Sequence, residues 1–408
     1  MPFLVPRSIG LPIEAPSYWI TAHRRAVGSQ PNTLFNELRS LMILYLWADL
    51  CGIDVIERIT EGAFFTLDEI IDLVNVSGWY LNDLLSALER RSSNVITLAR
   101  HIPKSGVDSG EKRNRLSVIR SFLEFTSSDY LSKLQGTPNR WLLYRDMRAE
   151  FLKHLATYIS GLRAPNRDDV GDREGLDREV LTRLRAVIDP DHPDNPFEPQ
   201  VRFRNFVIIR LLIDLGIRRG ELLGIMLSDC DVTGPRGYIT IHRRPDNVHD
   251  TRITPGASTK TAARKLELSA RTTQLVYEWI VHHRSKLPGA TKAKGQFLIV
   301  SIPKGEPMSP SNVNKMFEAL RRRVPGLPEE VAPHVLRHSW NDTFSEHMDK
   351  NGVSEEDEVK FRQKIMGWRD EASARFYLRR TVARRSNEVL REMHDNLDIR
   401  VESEGQKR

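Results

Sequence analysis

The stretch Val331-Ala332-Pro333-His334-Val335-Leu336-Arg337-His338-Ser339 decides how this chain is read. His334 and Arg337 stand three apart, and on a helix such positions share one face. Pro333 suits the first turn of that helix. Imidazole and guanidinium then point the same way. Arginine offers a rigid fork of donors shaped for a phosphate. Histidine donates a hydrogen bond or moves a proton near neutral pH. Downstream lies Ile365-Met366-Gly367-Trp368, and nine residues after Trp368 comes Tyr377 in Ala374-Arg375-Phe376-Tyr377. Taken singly, these are an ordinary helix face and an ordinary packed aromatic. Together, a phosphate-gripping face and a later tyrosine point to phosphoryl transfer to a tyrosine hydroxyl.

Upstream, Leu215-Gly216-Ile217-Arg218-Arg219-Gly220-Glu221-Leu222 lies within a long apolar-periodic run, Val201 to Leu227. Gly216 and Gly220 bracket a turn there. Arg218 then sits at a helix junction, with Glu221 three residues on to hold its guanidinium. Alone, such a pair is a surface ion pair of little worth. Strand signals follow at Tyr238–Ile241, Thr251–Thr254 and Arg264–Leu268. Ser258-Thr259-Lys260-Thr261 forms a hairpin tip carrying Lys260. Helices resume at Arg271–Ser285, Ser311–Arg323, His334–Met348, Glu355–Met366 and Ser373–Leu378.

The N-terminal part reads as all-helical. Residues 1–30 carry four prolines and read as an irregular arm. Apolar residues recur at helical spacing over Leu34–Leu50, and Thr66-Leu67-Asp68-Glu69 is a capping-box start. Further helices fall at Trp79–Leu88, Asn114–Leu134 and Trp141–Leu162, and Arg113, Arg115 and Arg120 put cations on one of them. The domain reading is therefore an arm over 1–30, a helical domain over 31–162, a linker over 163–175, a second domain over 176–395 and a charged tail over 396–408. The fold class is mainly α with a small antiparallel β-sheet (α+β).

The totals agree with two domains: 408 residues exceed one average domain. Lys plus Arg number 61 against 54 acidic residues, a net charge of +7, which favours a polyanionic partner, nucleic acid ahead of a membrane surface. Cys51 and Cys230 form no C-x-x-C pair, so neither a disulfide framework nor a zinc site is expected. The N-terminus is too short in apolar residues for a signal peptide, and no membrane span is expected. The adjacent His282 and His283 are not spaced for a shared metal and read as exposed.

In order, Arg218, Lys260, His334, Arg337, Trp368 and Tyr377 resemble the tyrosine recombinase (phage integrase) family. Gly216-Ile217-Arg218-Arg219-Gly220-Glu221-Leu222 is similar to its first arginine motif, Thr259-Lys260-Thr261 with Leu266-Glu267-Leu268 to its lysine hairpin, and His334-Val335-Leu336-Arg337-His338 to its H-x-L-R-H motif. Met366-Gly367-Trp368 stands where most members have L-G-H. Indole donates one hydrogen bond but cannot shuttle a proton, so Trp368 keeps a donor or packing role only. The resemblance covers residues 170–395, and more loosely the helical part as a core-binding domain.

This resemblance implies cutting and rejoining of DNA through a 3′-phosphotyrosine on Tyr377, without metal, cofactor or ATP. Arg218 and Arg337 would clamp nonbridging oxygens, supported by Glu221, His334 would assist as hydrogen-bond donor or proton acceptor, and Lys260 would protonate the leaving 5′ oxygen. The implied partners are double-stranded DNA bearing recombination sites, three further copies in a homotetramer, and accessory DNA-bending or directionality proteins. The implied location is the cytoplasm, at the nucleoid when bound to DNA. A type IB topoisomerase shares the chemistry, and a non-catalytic DNA-binding protein could share the fold; the helical domain's size and the complete Arg-Lys-His-Arg-Tyr set favour the recombinase.

Overall fold

The computed structural model describes residues 1–6, 10–92, 103, 105–162, 175–244, 250, 252, 261–290, 296–375, 377–378, 386–387 and 389–394. It divides into two compact units, Met1–Asp168 and Asp169–Arg408. Most of the stretch expected to link two domains, 163–174, lies outside the described residues, as does the tail at 396–408.

Unit 1 is helical. Its helices are α1 (Glu14–Tyr18), a π-helical turn (Trp19–Arg25), α2 (Pro31–Cys51), α3 (Val55–Glu61), α4 (Leu67–Val76), α5 (Leu81–Ser92), α6 (Ser109–Lys133) and α7 (Pro138–Gly161). The expected stripe of α2 is buried at Leu34, Leu38, Leu41 and Ala48. The capping box at α4 forms in full, with Thr66 and Glu69 each satisfying the other's backbone N–H.

The irregular arm expected over 1–30 is corrected by the structure. Residues 14–25 are helical, and Trp19 and Ile20 are wholly buried in the unit's core. Trp19 meets Phe122 of α6 edge-on at 5.8 Å. Pro16 fits because first-turn N–H groups have no intrahelical acceptor to lose. One of the cations expected on an exposed α6 face is structural instead: Arg115 donates to the carbonyls of Ser77 and Trp79 and pairs with Glu111.

Unit 2 surrounds a small sheet with helices α8 (Arg178–Val187), α9 (Pro199–Leu215), α10 (Arg219–Gly224), α11 (Ala270–Glu278), α12 (Pro310–Arg323), α13 (Pro333–Lys350) and α14 (Glu355–Met366). The long apolar run from Val201 breaks into α9 and α10 at Gly216, whose φ is +59°. A Cβ there would lie 2.6 Å from the Trp340 ring, so both the backbone and the space demand glycine.

The sheet has three antiparallel strands, β1 (Cys230–Asp231), β2 (Tyr238–Ile241) and β3 (Arg264–Glu267), in the order β1-β2-β3. Tyr238 pairs with Glu267 and Ile241 with Arg264. The strand expected at Thr251–Thr254 lies outside the described residues except for Arg252. The two-residue β1 is too short for any alternation to reveal. On β3 the side chains of Arg264 and Leu266 turn inward and those of Lys265 and Glu267 outward, as period-two geometry requires. An arginine therefore enters the core. Among the described residues, no helix is long and apolar enough to cross a membrane.

Candidate active site

Five of the six expected site residues, Arg218, His334, Arg337, Trp368 and Tyr377, line one open cavity of about 770 Å³. Lys260 lies outside the described residues.

Each side chain is positioned by a chain break or a helix start. Arg218 is the N-cap residue of α10, just after Gly216. His334 and Arg337 occupy the first turns of α13, whose N1 residue is Pro333. Trp368 follows Gly367, the left-handed C-cap of α14 with φ +67°. The Gly367 carbonyl accepts from the backbone N–H of Ala262, two residues before β3 begins at Arg264. A Cβ at 367 would meet the Ala262 carbonyl oxygen at 2.9 Å. Removing that side chain lets the sheet and the α14 terminus close on each other.

Beneath the cavity sits Glu221, whose side chain is 1% exposed. Its Oε2 accepts from Arg264 Nη2 at 2.8 Å, and its Oε1 from the Thr261 hydroxyl at 2.6 Å. Arg218 approaches its Oε1 at 3.4 Å and Arg337 its Oε2 at 3.8 Å. Burial alone would raise the pKa of this carboxyl. The charge and hydrogen bond of Arg264, with Arg337 and Thr261, outweigh burial and lower it to about 2. Glu221 is thus a shared anion for three guanidinium groups. The guanidinium of Arg218, the partner expected from sequence, stands farther from it than that of Arg264 and nearer than that of Arg337.

The two candidate clamp arginines differ. The Arg218 side chain is 43% exposed, and that of Arg337 is 6% exposed. Arg337 Nη1 donates to the Gly216 carbonyl at 2.7 Å, tying α13 to the α9–α10 break. Its Nη2 is shielded from water and has no acceptor among the described residues. Burial, and then the Arg218 charge, lower the Arg337 pKa to about 10, so it remains a cation at neutral pH.

Tyr377 is buried, and its ring stacks on Trp368 at 5.5 Å and 11° between planes. Trp368 in turn lies 5.3 Å under the Arg337 guanidinium. The packing role expected for Trp368 is what these rings display. Beside the Tyr377 ring, at 5.5 Å, lies the guanidinium of Arg362. Arg362 is wholly buried, paired with Glu358 and donating to Asn341 and Ser345. The Tyr377 hydroxyl lies 3.0 Å from His338 Nδ1.

Arg264, Arg362 and His338 were absent from the expected site. Only His338 had a local signal, the last position of the H-x-L-R-H motif one helical turn after His334. His283, by contrast, stacks on Phe203 at 4.0 Å, away from this cavity's lining.

The chain is 24% identical over 205 residues to the tyrosine recombinase XerD of Halalkalibacterium halodurans, covering 50% of this chain and 58% of the relative. It is 26% identical over 246 residues to the tyrosine recombinase XerC of Agrobacterium fabrum, covering 60% of this chain and 65% of the relative. Its fold is similar to that of the Tn1549 transposon integrase solved with transposon right end DNA, with a TM-score of 0.53 at 14% identity over 90% of this chain and 94% of that one. The model of the phage integrase family matches residues 179–384, just over half of the chain, and the chain belongs to that family.

Proposed function

We propose that this protein is a site-specific DNA recombinase that cuts and rejoins strands through a 3′-phosphotyrosine on Tyr377. The observation that carries this reading is the buried Arg337 guanidinium in the cavity that also holds Tyr377, with one donor left without an acceptor among the described residues. An unmet buried donor costs about 1–3 kcal/mol. A phosphate oxygen would relieve that cost, and would do so most strongly where charge concentrates in the transition state. Arg218, more exposed, takes a second nonbridging oxygen, and His334 donates to the same phosphate. Lys260 protonates the leaving 5′ oxygen. Lys265, the nearby alternative, is occupied over the Tyr238 ring at 4.1 Å.

The Tyr377 oxygen forms the new P–O bond as the bond to the 5′ oxygen breaks. The ester is exchanged rather than hydrolysed, so rejoining needs no ATP. Exchange of two duplexes takes four such cuts, and four copies would supply one tyrosine each. The relatives named as recombinases and the integrase solved on transposon DNA support double-stranded DNA as the substrate.

Tyr377→Phe tests the reading. On a nicked suicide duplex, wild type forms a covalent protein–DNA adduct. The Phe variant should bind DNA within a few-fold of wild type and form none. An adduct from the Phe variant would remove Tyr377 as nucleophile.

A further inference from the structure

We propose that His338 is the proton acceptor for the Tyr377 hydroxyl, a role that rests on the recombinase reading above. The phenol is held by its ring, stacked on Trp368 and flanked by the Arg362 guanidinium. With the ring so held, its oxygen lies 3.0 Å from His338 Nδ1. The two rings are 5.7 Å apart and tilted by 36°, so the contact is made at the edges. In the tautomer with its proton on Nε2, His338 accepts at Nδ1 from the phenol O–H. Trp368 cannot take this proton, because an indole N–H only donates. His338 belongs to α13, the helix that carries His334 and Arg337, so the groups that grip phosphate and the group that takes the proton are fixed relative to one another.

A free phenol ionises near pH 10 and an imidazolium near 6.5, so full transfer is unfavourable before attack. It becomes favourable as the phenolic oxygen gives its electron pair to phosphorus. The proton then rests on His338 while the phosphotyrosine exists. In rejoining, the 5′ hydroxyl returns its proton to Lys260, left neutral by the cleavage step, and attacks phosphorus. The Tyr377 oxygen leaves and takes its proton back from His338. Over the cycle no proton is gained or lost at this pair. His334, 6.1 Å away ring to ring, and Arg337 share α13 with His338, and Arg218, Arg219, Glu318 and Arg321 line the same cavity.

The test uses the full chain on a nicked suicide duplex and measures the rate of adduct formation against pH. His338→Asn keeps an acceptor oxygen near the Nδ1 position but cannot hold a proton. It should slow adduct formation by about 10²-fold, the usual scale of a lost general base, and should lose the low-pH fall in rate expected of wild type. Replacing Tyr377 with a fluorinated tyrosine, ionised near neutral pH, should restore His338→Asn to within a few-fold of the equally fluorinated wild-type chain. In wild type the same replacement should flatten the low-pH limb, a readout that needs no variant at 338. Sulfur at the 5′ bridging position should not rescue His338→Asn, because the defect lies at the attacking oxygen.

An Asn variant within threefold of wild type would overturn the assignment. So would a slow variant that fluorotyrosine does not rescue, or rescue seen for His334→Asn in place of His338→Asn. Absence of any adduct from wild type would overturn the recombinase reading itself, and this assignment with it.

Discussion

The two units bury charge differently. Among the described residues, unit 1 buries one charged side chain, Glu37, while unit 2 buries five arginines and three carboxylates. Unit 1 is built on apolar contacts, with rings such as Phe64, Phe65 and Phe151 packed at 5.1 to 5.5 Å. Its polar contacts, local in the Thr66–Glu69 capping box and longer-range where Arg115 reaches the Ser77 and Trp79 carbonyls, leave little charge in its core. In unit 2, Glu221 ties together groups from α10, β3 and α13, and Arg362 ties α14 to α13. Isolated buried ions cost several kcal/mol each, and apolar replacements of similar volume are often as stable. Stability alone therefore does not account for unit 2's interior. The proposed phosphate clamp would account for the part of it around Glu221, because fixed cations need no reorganisation when charge develops.

The largest effect should come from removing the shared anion. Glu221→Ala leaves the Arg264 and Arg337 guanidinium groups buried without their carboxylate. Breaking one partner out of a buried ion pair typically costs about 3–5 kcal/mol. Urea unfolding of the full chain should show that loss in one transition, and adduct formation should vanish at temperatures where the variant stays folded. A loss below about 1 kcal/mol would mean that unit 2 tolerates its interior charges separately, and the contrast between the units would fail.

Next is the clamp. Arg337→Lys keeps the charge but loses the planar fork that holds the Gly216 carbonyl with one nitrogen and keeps a second for phosphate. Loss of a transition-state donor predicts a fall of about 10²–10³ in the rate of adduct formation. The more exposed Arg218, changed to Lys, should lose less. Equal losses would show that burial is not what distinguishes the two.

The third is a pH dependence. The Glu221 carboxyl is held at about 2 in the folded chain, below its ordinary value of 4.5. The folded state therefore favours the ionised form. That contribution is complete above pH 4.5 and is lost as pH falls towards 2. The urea midpoint of the unit 2 transition should drop across this window, and Glu221→Gln should flatten the drop. An equally steep fall in the Gln variant would place the acid sensitivity elsewhere.

The same contrast explains what could be read from sequence. Local patterns were legible: the α13 face with His334 and Arg337, the break at Gly216, the capping box at Thr66, and the end of α14 at Met366. Each is decided within one or two helical turns. The Glu221–Arg264 pair was not legible, because its members lie 43 residues apart and only the β3 register brings them together. Arg362 likewise reads as a surface cation on a charged helix until α14 packs on α13. The helical stretch at 14–25 was masked by Pro16 and the three prolines that precede it, and the two-residue β1 has no pattern of its own. His338 stood inside a quoted motif but had no stated task, since its partner Tyr377 is 39 residues away.

The smallest effect belongs to unit 1. In Thr66→Ala, the backbone N–H of Glu69 loses the Thr66 hydroxyl, its 3.3 Å acceptor, while the Glu69 carboxylate still accepts from the residue 66 N–H at 2.7 Å. The site is exposed, so water replaces the lost partner and no buried group is stranded. Loss of an N-cap hydroxyl typically costs about 1 kcal/mol. Because the lost contact lies within the cap of α4, whose Glu69 also pairs with Arg58 of α3 in the same unit, the loss should be confined to the unit 1 transition in urea. Adduct formation, once corrected for binding, should stay at the wild-type rate. If Thr66→Ala instead shifted both transitions, or slowed the chemical step, polar contacts in unit 1 would be coupled to unit 2, and the division between a locally capped unit and a networked one would not hold.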